Sequence, residues 1–247
     1  TPDLCRVLRC PLCGVDGAVP TGNAAESKPW ECKACEKRIS TMRMPLAEEQ
    51  RLSDEVRNLL YFAGEALPAM AAGLLKEVHE HLGCAHWTAG ALMLIAYRNG
   101  KRERKDAGHL AWGEAHALWL RRACPEVAPA ADAQLQLDIG REVLERFPRM
   151  RGRAKANLEA CLEGMRALWG AESAQLRALE GLLASLEGCE AEALCSNPFC
   201  PERGAVTPAT GEGVRCPRCA LAPAYCCVAC ARSDWERHRP VCRALAA

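Results

Sequence analysis

The sequence predicts a mainly α-helical protein, an antiparallel helical array with a small cysteine-rich module at each end. Three observations predict it. Residues 46–188 are dominated by Ala, Leu, Glu and Arg, with apolar residues recurring at helical spacing. The 17 cysteines crowd into the two ends, with paired C-x2-C spacings in both, and are few in the long middle. The N-terminal cluster coincides with a Gly- and Pro-rich stretch lacking helical periodicity, and a Gly/Pro/Thr loop, residues 203–214, interrupts the C-terminal one.

The chain has 247 residues, 49% of them hydrophobic, which is enough to bury a core. Its formal net charge of +1 and sequence pI near 7.4 point to neither nucleic acid nor an anionic membrane, so any partner is recognised locally. The longest apolar stretch, Trp87 to Tyr97, falls far short of the roughly 20 residues a membrane-spanning helix needs. No apolar leader precedes a small-residue cleavage site. The expectation is a soluble, intracellular protein of the nucleus, the cytoplasm or both. Clustered, paired cysteines favour metal over disulfides there.

Residues 1–40 form the first module. Cys10-x2-Cys13, eighteen residues, then Cys32-x2-Cys35 is the spacing of a zinc ribbon, and four thiolates make a closed, structural site. Trp30 and the prolines Pro11, Pro20 and Pro29 are expected to pack over it, and Cys5 could compete as a ligand. So small a segment is not expected to fold by core burial alone.

Residues 46–188 form the second. Turn and cap signals divide it into helices over Leu46–Ala63, Pro68–Leu82, His86–Arg98 (ended by Asn99-Gly100), Asp106–Ala123 (ended by Cys124-Pro125), Pro129–Phe147 (ended by Pro148), Arg151–Trp169 (ended by Gly170) and Glu172–Leu186 (ended by Gly188). Short connections make neighbours antiparallel, so the array resembles tetratricopeptide-like hairpins, without a clean 34-residue repeat. The histidines of His79-Glu80-His81 are two residues apart on different helix faces, which reads as a solvated helix end and excludes a shared metal. The basic run Lys101-Arg102-Glu103-Arg104-Lys105 reads as a solvated loop after a helix end. Cys84, Cys124, Cys161 and Cys189 have no paired spacing and read as core or surface thiols.

Residues 195–242 form the third. The pattern is Cys195-x4-Cys200-x15-Cys216-x2-Cys219-x6-Cys226-x3-Cys230-x7-His238-x3-Cys242. Eight soft ligands make two four-coordinate sites with no position left for water or substrate, so the module is structural rather than catalytic. Apparent zinc affinities of about 10–16 kcal/mol per ion exceed what so short a segment gains from apolar burial, so folding should require metal. With the four-cysteine site the chain should carry about three zinc ions. Cys227, beside Cys226, allows a shifted register.

Tyr225-Cys226, Cys230, Asp234-Trp235, His238 and Cys242 resemble the MYND zinc-finger family closely. A RING finger would place its histidine fourth among the ligands, whereas here it is seventh. The resemblance implies interleaved pairing: Cys195, Cys200, Cys226 and Cys230 on one zinc, and Cys216, Cys219, His238 and Cys242 on the other. It also implies protein partners, with proline-containing peptides bound beside a shallow apolar groove. Trp235 matches the family's groove tryptophan, and an aromatic there can equally fill the core of the terminal helical turn. Ala231 stands where the family often has glutamine, a departure at the usual peptide contact.

A wider resemblance starts at Leu4-Cys5-Arg6-Val7-Leu8-Arg9-Cys10-Pro11-Leu12-Cys13 and continues through Asp16-Gly17, Pro20 and Pro29-Trp30-Glu31-Cys32. This run is similar to the cysteine-rich segment after the SET domain of SET-and-MYND lysine methyltransferases, where helical hairpins follow. His86-Trp87 and Gly170-Ala171-Glu172 extend the likeness. The chain departs from that family in placing the finger last and in having no Asn-His-Ser-Cys segment and no catalytic tyrosine context. Gly211-Glu212-Gly213 only imitates the cofactor-loop glycines. No nucleophile elbow, phosphate-binding loop or deaminase signature is present either. The sequence therefore reads as a non-catalytic, zinc-binding protein-interaction module. Its rival is the distal part of a SET-type methyltransferase whose catalytic core lies upstream of Thr1.

Overall fold

A computed structural model describes residues 6–21, 29–61, 67–103, 108–124 and 128–189, and within the C-terminal segment residues 193–194, 205–206, 214–215, 224–225, 228–233 and 235. The N-terminal segment alternates apolar and polar positions over short runs, and it forms four antiparallel strands in sequence order: β1 Leu8–Arg9, β2 Asp16–Pro20, β3 Trp30–Cys32 and β4 Arg38–Ile39. Leu8 pairs with Ala18, Ala18 with Cys32, and Trp30 with both Pro20 and Ile39. The period of two puts these residues on one face. Leu8, Ala18, Trp30, Cys32 and Ile39 are buried there against the helices, so the ribbon shares a core with the array instead of standing apart. Pro20 is half-buried within β2. Pro11, in the turn after β1, and Pro29, just ahead of β3, are exposed and are not buried over the cysteines as expected.

The middle region forms seven helices: α1 Leu46–Leu59, α2 Leu67–His81, α3 Trp87–Glu103, α4 Gly108–Ala123, α5 Ala128–Arg146, α6 Arg151–Trp169 and α7 Ala174–Ala184. Each packs on the next, and α1 also on α3. Glycines mark the close crossings. A side chain at Gly90, Gly113 or Gly100 would strike Trp119, Tyr97 or His109, and one at Gly140 or Gly164 would strike Leu158 or Ala133. Early α3 thus meets late α4, and early α5 meets late α6, so both pairs are antiparallel hairpins. The structure agrees with the expected array in this respect. No helix among the described residues is long and apolar enough to cross a membrane.

Four local expectations change, the first being that α1 ends at Leu59 and the chain turns at Leu60 and Tyr61, short of the expected end at Ala63. Asn99-Gly100 does not end α3, which runs on to Glu103. Asn99 is buried, and Gly100 is small because α4 passes so close that a Cβ would collide with the Cβ of His109. Lys101 and Arg102 are therefore the last turn of a helix, where cations face the negative end of its dipole, instead of loop residues. His79 is buried in α2, whereas His81 is exposed, so only one end of that short motif is solvated. α7 starts later than expected, because Ser173 caps it by accepting the Leu176 N–H at 3.1 Å, and it ends at Ala184 instead of Leu186.

The helices bury two apolar clusters. The larger joins the ribbon to α1–α4 and one side of α5 and α6; the smaller, with Leu137, Leu158, Cys161, Met165, Leu179 and Leu186, lies among α5, α6 and α7. In the C-terminal segment β5 Ala193–Leu194 pairs with β6 Ala205–Val206, and β7 Val214–Arg215 with β8 Ala224–Tyr225. Strand β6 and Val214 fall in the stretch expected to be loop. The helix α8 Val228–Ser233 packs on β8, and β5 lies against β8.

Candidate metal centre

Two turns build the first site. Residues 11–13 turn between β1 and β2, and residues 33–35 turn between β3 and β4, so each C-x2-C pair brackets a tight corner. The corners match bond for bond. The Gly14 N–H donates to Cys10 O at 2.8 Å and the Cys10 N–H to Val15 O at 2.9 Å; the Glu36 N–H donates to Cys32 O at 2.8 Å and the Cys32 N–H to Lys37 O at 3.0 Å. The fifth residue of each corner is left-handed, at φ +72° for Gly14 and +56° for Glu36. Glycine takes that conformation without penalty, and Glu36 does not.

The sheet pairing brings the two corners together. All four sulfurs of Cys10, Cys13, Cys32 and Cys35 lie within 4.8 Å of one another, with Cys10 Sγ 3.9 Å from Cys35 Sγ and Cys13 Sγ 3.7 Å from Cys32 Sγ. A tetrahedral zinc with bonds of about 2.3 Å requires sulfurs about 3.8 Å apart, so the donor set fits that ion. Cys10 and Cys32 are buried, Cys35 is half-buried and Cys13 is exposed.

The surroundings favour thiolate at one sulfur and oppose it at another. Burial works against charge at Cys32, but the amides of Cys35 and Ala34 outweigh it and hold the thiol below its ordinary pKa. At Cys13 the Val15 amide favours the thiolate, yet desolvation and the crowding thiols of Cys10, Cys32 and Cys35 together push the pKa to about 12. Four thiolates cannot gather here without a cation to offset their repulsion, and a bound dication deprotonates coordinating thiols outright. The Leu12 N–H points at Cys10 Sγ from 3.4 Å, a further donor that suits a metal-bound thiolate.

Charged side chains that the sequence reading did not single out hold the ribbon to the array. Arg6 makes a two-pronged pair with Glu49 of α1, Nε to Oε1 at 2.6 Å and Nη2 to Oε2 at 2.8 Å. His86 Nε2 lies 3.3 Å from the same Oε1, and its Nδ1 lies 2.8 Å from the Thr88 hydroxyl. Burial would raise the pKa of Glu49, but the hydrogen bonds and charges of Arg6 and His86 hold it at about 2. The Arg6 guanidinium also lies 5.2 Å from the centre of the Trp30 ring. One signal was available: Glu49 interrupts the buried stripe formed by Leu52, Ser53 and Val56 on α1.

In the C-terminal segment Cys195, Cys200, Cys216, Cys219, Cys226, His238 and Cys242 lie outside the described residues, as do Cys5 and Cys227. Cys230 is buried in α8, directly after the β8 strand that carries the buried Tyr225. Trp235 is 38% exposed. Among the unpaired cysteines Cys161 is a buried thiol and Cys84 and Cys189 are half-buried thiols, whereas Cys124, at the end of α4, is disulfide-bonded and so not the lone thiol expected.

No curated protein matches the chain. Its C-terminal part does match a family: residues 189–242, which include all eight candidate ligands from Cys195 to Cys242 and the strands and helix β5 to α8, match the MYND finger.

Proposed function

We propose that this chain is a protein-docking module held in shape by about three zinc ions, with no catalytic role for any of its residues. The observation that carries the reading is the MYND finger at residues 189–242, since such fingers generally mediate protein–protein interactions. The finer assignments rest on the order of the ligands. Cys195, Cys200, Cys226 and Cys230 hold one zinc of the finger and Cys216, Cys219, His238 and Cys242 the other, while Cys10, Cys13, Cys32 and Cys35 hold the third. The exposed Trp235 forms one wall of a groove for a proline-containing peptide, supported by its solvent-facing position close to α8. Clusters of metal-binding thiolates suit the reducing nucleus and cytoplasm, where we place the protein, and the Cys124 disulfide is the exception to that chemistry.

Peptide arrays displaying proline-containing segments, probed with the zinc-loaded chain, test this function. A bound peptide whose affinity falls about tenfold in Trp235→Ala, and vanishes on chelation, is the expected result. Binding that ignores both changes would remove the groove.

A second reading is favoured by the ribbon packing on helical hairpins as one core. In it, these residues are the distal part of a SET-type lysine methyltransferase that uses S-adenosylmethionine, the ribbon walling one side of its substrate channel. A SET core encoded upstream of Thr1 would decide for it. The chain as given should transfer no methyl group from labelled cofactor, and robust turnover would overturn the docking assignment.

A further inference from the structure

The residues flanking the first cysteine pair are tied to the corner between α2 and α3. Arg9, which precedes Cys10, donates its backbone N–H to Leu82 O at 2.7 Å and its Nη1 to Glu80 O at 3.3 Å. Asp16, three residues past Cys13, accepts on one oxygen the Cys84 N–H at 2.7 Å and the Cys84 thiol at 2.8 Å; its other oxygen lies 3.5 Å from Arg9 Nε. Gly83, at φ +104°, leaves the space that carboxylate fills, since a Cβ there would collide with Asp16 Oδ1. The corner is thus moulded on two residues that the cysteine knuckle positions.

The cores divide in part along the same line. The cluster that contains Leu8, Ala18, Trp30 and Ile39 of the ribbon also contains buried residues of α1–α4 and, from one side of the next two helices, Leu135, Ile139 and Val143 of α5 and Ala154 of α6, whereas the second cluster, which holds the other side of α5 and α6 to α7, contains no ribbon residue. The ribbon's apolar face is too small to hold its own sheet closed, and metal-binding free energy in such modules is folding free energy.

We infer that metal occupancy of the ribbon is a conformational control: a filled four-cysteine site locks the α2–α3 corner and the N-terminal half of the array, and its loss opens that half while the α5–α7 stack stays closed. The inference rests on the proposed zinc in the ribbon. It makes a chelator or a competing metal-binding protein an effector of the array's surface, not only of the ribbon.

Hydrogen exchange by mass spectrometry on the whole chain, with iodoacetamide labelling of Cys84 and zinc content measured on the same samples, tests it. Cys13→Ser removes an exposed ligand without disturbing the core. The expected result is a loss of about one zinc per chain, with amides 80–88 exchanging and Cys84 labelling about tenfold faster while α5–α6 amides change less than about twofold. Asp16→Asn keeps every ligand, and should speed Cys84 labelling at unchanged zinc. Zinc lost with the corner still protected would overturn the inference and leave the metal assignment standing; zinc not lost would remove the ribbon metal itself. Opening of α5–α6 together with the corner, or an unchanged Cys84 in Asp16→Asn, would also overturn it.

Discussion

Glu49→Ala should destabilise the protein at neutral pH by about 3 kcal/mol, toward the lower end of the roughly 3–5 kcal/mol seen when one partner of a buried ion pair is removed. The geometry sets the magnitude. The Glu49 side chain is 8% exposed and receives both prongs of Arg6, and His86 beside it is fully buried, so its loss leaves groups unpaired. The Arg6 side chain is 35% exposed and can turn to water, which keeps the cost at that lower end. For a chain of this size about 3 kcal/mol corresponds to a fall in Tm of about 6–12 °C. The pH dependence follows from the sign of the shift. Glu49 is held at about 2 against an ordinary 4.5, so its contribution is complete above pH 4.5 and is lost as pH falls through about 2. Thermal unfolding followed by circular dichroism, in zinc-containing buffer from pH 7 down to pH 3, should show a wide gap between wild type and variant that narrows below pH 4.5. A Tm change under about 2 °C at pH 7, or a gap indifferent to pH, would refute the idea that this pair fastens the ribbon to α1.

Three further substitutions probe the helices and the cysteine corners. Gly140→Ala places a Cβ 2.7 Å from Leu158 Cδ2 and 3.3 Å from Ala154 O, and should cost about 1–3 kcal/mol in chemical denaturation by forcing α5 from α6. Ser173→Ala removes the cap on Leu176 N–H and should cost about 1 kcal/mol, read as faster amide exchange in the first turn of α7. Glu36→Gly relieves a left-handed residue at φ +56° and should gain about 1 kcal/mol or slightly more, measured as a higher denaturant midpoint with zinc bound.

What was legible in the sequence follows the physics of each signal. The helical array was readable because 3.6-residue periodicity persists over long runs, and Gly170 and Pro148 stop helices for reasons local to the chain. Asn99-Gly100 misled because the same small residue that ends a helix also admits a close neighbour, and only the tertiary crossing with His109 tells the two apart. The four-cysteine cluster of the ribbon was readable from spacing alone, since two C-x2-C corners need only a sheet to bring them together. Its fastening was not, because Arg6, Arg9, Asp16, Glu49 and Cys84 meet across 43 to 71 residues of chain. Two-residue strands such as β6 leave no periodicity to detect, so the stretch around Ala205–Val206 read as loop.

The measurement that bears most directly on the account is the zinc content of the purified chain by inductively coupled plasma mass spectrometry, before and after exhaustive chelation. About three ions per chain before treatment, and collapse of the finger's exchange protection after it, is the outcome expected from twelve thiolate and imidazole ligands in three closed sites. A finger that keeps its protection with its metal stripped away, or sulfurs found bridged to one another in place of bound zinc, would contradict it.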